Sequence, residues 1–170
     1  MRLFFAVLLL TGIPALLHSE MPPLHSRPPR ITSPLPGNFR YVVRGAGVIF
    51  SGTVIKIERG VPGSATASGI TRISFRVETA IRGVHRGQLL QVREWSGLWN
   101  AGERYRVGEQ VLLFLYPNSR LGLTSPVGGA QGRFAIDEFN RVLPNPVNHR
   151  HLKPIEVRAF AREIRRAARE

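Results

Sequence analysis

The sequence predicts a mostly β fold, a small barrel or sandwich of five to six short strands followed by one C-terminal amphipathic α-helix. Three observations carry it. Segments between Ala46 and Ile136 are rich in β-branched and aromatic residues, one of them alternating cleanly between apolar and polar side chains. Glycine, proline, asparagine and serine cluster between those segments at the spacing of short connections. After Pro154 the apolar period lengthens from that of a strand to that of a helix.

The chain opens on Met1-Arg2, a short positive region, and then a mostly apolar run from Leu3 to Leu17. A membrane span needs about 20 apolar residues. This shorter run, interrupted by Gly12 and Pro14 and ending in polar residues from His18, has the pattern of a secretory signal peptide over 1–19. Cleavage after Ser19 is expected, leaving an exported chain with no integral membrane span. Residues 20–44 follow as a proline-rich linker. Met21-Pro22-Pro23, Arg27-Pro28-Pro29 and Ser33-Pro34-Leu35-Pro36-Gly37 cannot sustain a ladder or a helix, because proline lacks the N–H and fixes φ.

The domain is expected over 45–143. In Ala46 to Arg59, Val48, Phe50 and Val54 hold one parity, while Ile49, Ile55 and Ile57 hold the other. A phase change near Gly52 predicts a bulge or sharp bend. A small, flexible loop at 60–69 leads to Ile70–Arg82, which alternates cleanly. Ile73, Phe75, Val77 and Ile81 face one way; Arg72, Ser74, Arg76, Glu78 and Arg82 face the other. A turn over Gly83–Gly87 precedes a strand over Gln88–Trp95, with Leu90 and Val92 inward. The loop Ser96–Gly108 carries Trp99 and Tyr105. The continuous apolar run Val111–Tyr116 suits a strand buried on both faces. Two more short strands are expected at Leu121–Thr124 and Gly132–Ile136.

Over 144–170 a loop leads to a basic helix. Pro154 suits its first position. Val157, Phe160, Ala161, Ile164 and Ala168 share one face, and Arg158, Arg162, Arg165, Arg166 and Arg169 occupy the rest. This predicts a helix packed on the sheet with a solvated basic side; a helix lying on a membrane surface is the alternative.

Lys and Arg number 24 against 11 Asp and Glu, a formal charge of +13 that points to anionic partners. Position reduces its weight. Residues 46–140 carry 11 basic and 7 acidic residues, a net of +4, and the leader, linker and C-terminal segment hold the remainder. The absence of cysteine excludes a disulfide framework, a thiolate metal site and a cysteine nucleophile. Small secreted eukaryotic domains are normally stapled by disulfides. A leader without cysteines therefore predicts a bacterial exported protein, periplasmic or extracellular, whose core stands alone.

Catalytic, metal and cofactor residues are not indicated. Gly-x-Ser-x-Gly is absent, and the sole aspartate, Asp137, sits in an apparent turn. Glu78 and Glu94 are the carboxylates available for glycoside chemistry, but both fall on expected solvent faces among arginines, where ion pairing accounts for them. His149 and His151 are too few for a transition-metal site. Gly128-Gly129 lacks the Gly-Lys-Ser/Thr of a phosphate loop. Binding is better supplied. Trp95, Trp99 and Tyr105 gather at one loop, either as a partner-contact surface or as a lid over one end of the fold. Arg72, Arg76, Arg82 and Arg93 put charge on neighbouring strands, as a polyanion site requires.

Phe50-Ser-Gly-Thr-Val54, Val77-Glu78 with Arg82-Gly83, Val107-Gly-Glu-Gln-Val-Leu-Leu-Phe-Leu115 and Gly128-Gly-Ala-Gln-Gly-Arg-Phe134 resemble strand and turn determinants of a group of exported bacterial β-domains. More distantly they are similar to netrin-like modules and the N-terminal domain of tissue inhibitors of metalloproteinases (TIMPs). The resemblance covers about Gly45 to Asp137 and implies an OB-like five-stranded barrel with an added helix. TIMPs present an N-terminal, disulfide-fixed cysteine to the protease zinc, and this chain has none. Three functions fit: a non-enzymatic module that binds a protein or cell-envelope partner, a polyanion-binding OB domain for nucleic acid or an envelope polymer, and a protease inhibitor acting without that cysteine.

Overall fold

β1 (Val48–Arg59) and β2 (Ile70–Arg82) are long β-branched segments that pair antiparallel along most of their length. The computed structural model describes residues 39–60, 69–100, 104–144 and 153–169, all within the unit Ser33–Glu170. The leader, most of the linker, the centre of the 60–69 loop and His149 and His151 lie outside the described residues.

A register slip is present beside Gly52, as expected, but its extra residue is Glu78 of β2, and the phase of β1 itself changes at Ile55. Its register against β2 slips between Ile49 and Phe50, between Ser51 and Gly52, and between Val54 and Lys56. Gly52 is required there, since a Cβ would collide with the Arg76 carbonyl across the ladder. The extra Ile55 lets Val54 and Ile57, of opposite parity, face the same core cluster, while Ile49 and Phe50 divide between the two clusters by ordinary alternation.

β3 (Leu89–Trp95), β4 (Gln110–Leu115) and β5 (Arg133–Ala135) complete a five-stranded antiparallel sheet in the order β3-β2-β1-β4-β5. One face gathers Phe50, Ile73, Phe75, Val77, Val92, Val111 and Leu113 with Tyr105 into one cluster. The other face offers Ile49, Leu112 and Phe114 to the helices. β4 is therefore buried on both faces, as its unbroken apolar run predicts.

The sheet is not closed into a barrel, which corrects the predicted architecture. Arg93 of β3 accepts a backbone hydrogen bond from Thr124 N–H at 2.9 Å, so the chain beyond β4 comes round to β3, but no ladder joins β3 to β5. Thr124 belongs to a segment expected as a strand, Leu121–Thr124. That segment is a turn instead: Gly122 has a φ of 69°, its N–H donates to the Ser119 carbonyl, and the Ser119 N–H donates to the Leu123 carbonyl.

After β5 the chain turns at Asp137–Asn140 into β6 (Arg141–Val142), which pairs with β7 (Ile155–Glu156). Burial works to raise the Asp137 pKa. The Arg141 side chain and backbone, together with the Phe139 N–H, more than offset this and hold the carboxyl below the usual aspartate value.

α3 (Val157–Ala167) buries Val157, Phe160, Ala161 and Ile164, the face expected from the periodicity, and leaves its arginines outside. The stretch 39–44, which its proline-rich surroundings assign to the linker, is instead part of α1 (Phe39–Gly45), with Phe39, Val42 and Val43 buried. Phe39 lies edge-on to Phe114 of β4 at 5.4 Å and to Phe160 of α3 at 5.3 Å, tying both helices to the outer face of β4. Among the described residues no helix is long and apolar enough to cross a membrane.

Candidate partner-binding face

The seven sequence-predicted site residues separate into three groups. Arg72, Arg76, Arg93 and Trp95 share the outward face of β2 and β3. Arg82 and Tyr105 are turned to structural work. Trp99 lies in the short helix α2 (Ser96–Asn100), and its side chain is outside the described residues.

The outward face follows from the register. Ile73, Phe75, Val77 and Val92 point into the core, so the alternate residues Arg72, Ser74, Arg76, Leu89, Gln91, Arg93 and Trp95 point out. Across β1, β2 and β3 they stand in rows: Thr53, Arg76 and Leu89; Lys56, Ser74 and Gln91; Glu58, Arg72 and Arg93. These rows hold four cations against one carboxylate. That carboxylate, Glu58, is bound to Lys56 at 2.7 Å, and the hydrogen bond and charge of Lys56 hold its pKa below the usual glutamate value. Among the described residues Arg72, Arg76 and Arg93 make no ion pair.

Arg72 and Arg93 lie directly opposite each other, and the ladder makes this the closer kind of pair. Val77 N–H donates to the Gln88 carbonyl and Ser96 N–H to the Gly69 carbonyl. Counting by twos between those anchors, Leu90, Val92 and Glu94 bond to β2, while Leu89, Gln91 and Arg93 are non-hydrogen-bonded partners. In such pairs the Cα atoms are about 4.5 Å apart and the side chains are nearest. Like charges so placed repel. The Arg93 Nη1 donates to the Leu121 carbonyl at 3.2 Å, but its Nε is buried without a partner. Trp95 closes the row 63% exposed, its ring resting where a Cβ on Gly97 would collide with it.

Arg82 shares the parity of Arg72 and Arg76, but its guanidinium is engaged within the fold. Its Nη1 donates to the carbonyls of Val43 and Ala46, at 2.7 and 2.9 Å, holding the end of α1 against the sheet. Replacing Arg82 with methionine keeps the stem and deletes both bonds. The expected loss is about 1–3 kcal/mol in urea denaturation, with ligand binding by the folded protein unchanged.

Tyr105 is no surface contact either. It is 2% exposed, its ring edge-on to Phe75 at 5.7 Å and under the Arg133 guanidinium at 4.2 Å. Its hydroxyl donates to Glu94 at 3.1 Å. Glu94 is itself 2% exposed, which corrects its expected place on a solvent face. Glu78 lies on the opposite face of the sheet, accepting from the Thr53 hydroxyl at 2.5 Å. The two carboxylates are thus kept apart by the sheet and do not face a common substrate.

A further opening of about 540 Å³ is lined by Glu78, Thr79, Ala80, Arg86, Gln110, Glu138, Asn140 and Arg158, with charges of both signs. Among the described residues no group of three or more histidines and carboxylates is placed to hold a metal. No family model matches the chain, and no curated protein matches it. The outward face of β2 and β3 is therefore the site with the clearest chemical demand of its own.

Proposed function

We propose that this chain is a non-enzymatic exported binding module that engages an acidic protein partner through the outward face of β2 and β3. The observation that carries the reading is the close Arg72–Arg93 pair, with Arg76 on the same face and no carboxylate among the described residues bound to any of the three. A folded chain gains nothing from holding such charges together; an anionic partner relieves the repulsion and gains from it. Exposed Trp95 adds an aromatic anchor at the end of the row. The separation of Glu78 from Glu94 supports a non-enzymatic role.

The leader pattern over 1–19 and the absence of cysteine support export into the periplasm or surroundings of a bacterium. A five-stranded antiparallel sheet open between its third and fifth strands supports the netrin/TIMP-like reading, because OB modules are five-stranded and partly open. Without a cysteine, inhibition of a zinc protease in the TIMP manner has no chemical basis here.

Titration with poly-glutamate at rising salt tests the proposal. Affinity is expected to fall steeply with ionic strength, and the double variant Arg72→Glu, Arg93→Glu to bind at least about tenfold more weakly. Tighter binding of heparin or single-stranded DNA at equal salt assigns the face to a polyanion instead. Poly-glutamate binding unaffected by the double charge reversal overturns the proposal.

A further inference from the structure

The register that sets Arg72 against Arg93 also leaves part of β3 open. β3 is the end strand of the five-stranded sheet. The Gln88 carbonyl, the backbone groups of Leu90, Val92 and Glu94, and the Ser96 N–H are directed toward β2, so Leu89, Gln91 and Arg93 direct theirs away. The Arg93 carbonyl is taken by Thr124 N–H, confirming that direction from the other side. Among the described residues the N–H and C=O groups of Leu89 and Gln91 have no partner, and the Gly87 turn bounds the gap at its other end.

Proteins usually blunt such an edge with charge, proline or a bulge. Here the edge carries Leu89, 67% exposed, with Trp95 at its end and Leu121, 73% exposed, on the turn that touches Arg93. Apolar side chains are thus presented beside unpaired backbone, and Arg72, Arg76 and Arg93 lie on the same face.

We infer that the open edge of β3 accepts an extended acidic segment of the partner protein as a sixth strand. Every second peptide residue would exchange backbone hydrogen bonds with Leu89 and Gln91. The side chains on the outward face would then be carboxylates against Arg72, Arg76 and Arg93, flanked by apolar residues against Leu89 and Trp95. The inference rests on the proposal that this face binds an acidic protein; what it adds is that the backbone, and not the side chains alone, makes the contact.

The test uses the full chain and an acetylated eight-residue valine–glutamate peptide, Val-Thr-Glu-Thr-Glu-Thr-Val-Thr, which places valine, glutamate, glutamate and valine on one face, with its valine–lysine counterpart and heparin as comparisons. At saturation, the Leu89 and Gln91 amides are expected to exchange with solvent about tenfold more slowly, while the Leu90 and Val92 amides, already bonded to β2, change little. Gln91→Pro removes an N–H on the open side, where an edge strand tolerates proline. It is expected to weaken the valine–glutamate peptide about five- to tenfold, one hydrogen bond's worth, with heparin affinity and melting temperature unchanged. Peptide binding with no change in Leu89 and Gln91 exchange overturns strand addition and leaves the basic face standing. Equal binding of the valine–lysine peptide, or no binding of either peptide, overturns it too. Indifference of heparin and the acidic peptide alike to Arg72→Glu, Arg93→Glu removes the basic-face reading itself.

Discussion

Replacing Phe39 with alanine is expected to destabilise the protein by about 3–5 kcal/mol, the cost of emptying a large aromatic site in a packed core. Phe39 is fully buried and lies within 5.3–6.4 Å of Phe114, Phe134 and Phe160. It is the point at which α1, α3 and the outer face of the sheet share one core. The surrounding rings are held by a strand, a short edge strand and a helix, so the site cannot readily collapse around the gap. Urea denaturation checks it, with Arg44→Ala, exposed on the same helix, as a control expected to cost no more than about 0.5 kcal/mol. Phe39→Leu, which keeps much of the volume, should fall between the two. If Phe39→Ala behaved like the control, α1 would be an appendage and residues 39–44 would belong to the linker as their surroundings suggest.

The strands are legible in the sequence because each is long enough to show its period. Ile70–Val77 alternates without interruption and the bounds of β2 are those expected, although extra residues at Glu78 and Ile81 turn Ile81 to the cluster opposite Ile73, Phe75 and Val77. Val111–Leu115 betrays two buried faces by having no polar residue. The C-terminal helix is legible for the same reason. Helix α1 carries a helical signal in Phe39, Val42 and Val43, but seven residues after a proline-rich run give that spacing too little length to outweigh the prolines. Closure of the sheet is illegible, because it depends on pairing between β3 and β5, which no local pattern encodes.

The candidate site shows the same division. Arg72, Arg76 and Arg93 follow from strand parity, and their mutual placement needs only the register of one hairpin. Arg82 has the same parity, yet its role is set by the carbonyls of a helix 36 to 39 residues earlier in the chain. Glu94 looks solvent-facing among charged neighbours, yet it shares the inward parity of Leu90 and Val92, and the tyrosine reaching it from beyond α2 supplies a donor there. Burial of a charge demands donors, and those donors come from elsewhere in the chain.

Tyr105→Ala is expected to cost about 3–5 kcal/mol, because Tyr105 stands in the gap that the unclosed sheet leaves between β3 and β5. Its hydroxyl reaches Glu94 on β3, its ring supports Arg133 on β5, and Arg133 bonds Glu109 at the foot of β4 at 2.6 Å. A tyrosine suits this position because its ring continues the apolar cluster while its hydroxyl supplies a donor to a buried carboxylate. Tyr105→Phe keeps the ring and deletes only that donor, for an expected loss of about 1–3 kcal/mol. Pairing it with Glu94→Gln in a double-mutant cycle should give a non-additive term of about 0.5–3 kcal/mol, since the two groups touch. The order matters more than either value. A partner-contact residue on a free loop would show no stability loss in either variant, and only its binding would change. Tyr105→Ala must lose more than Tyr105→Phe, and both must lose more than Trp95→Ala, whose exposed ring contributes to the binding face and little to the core.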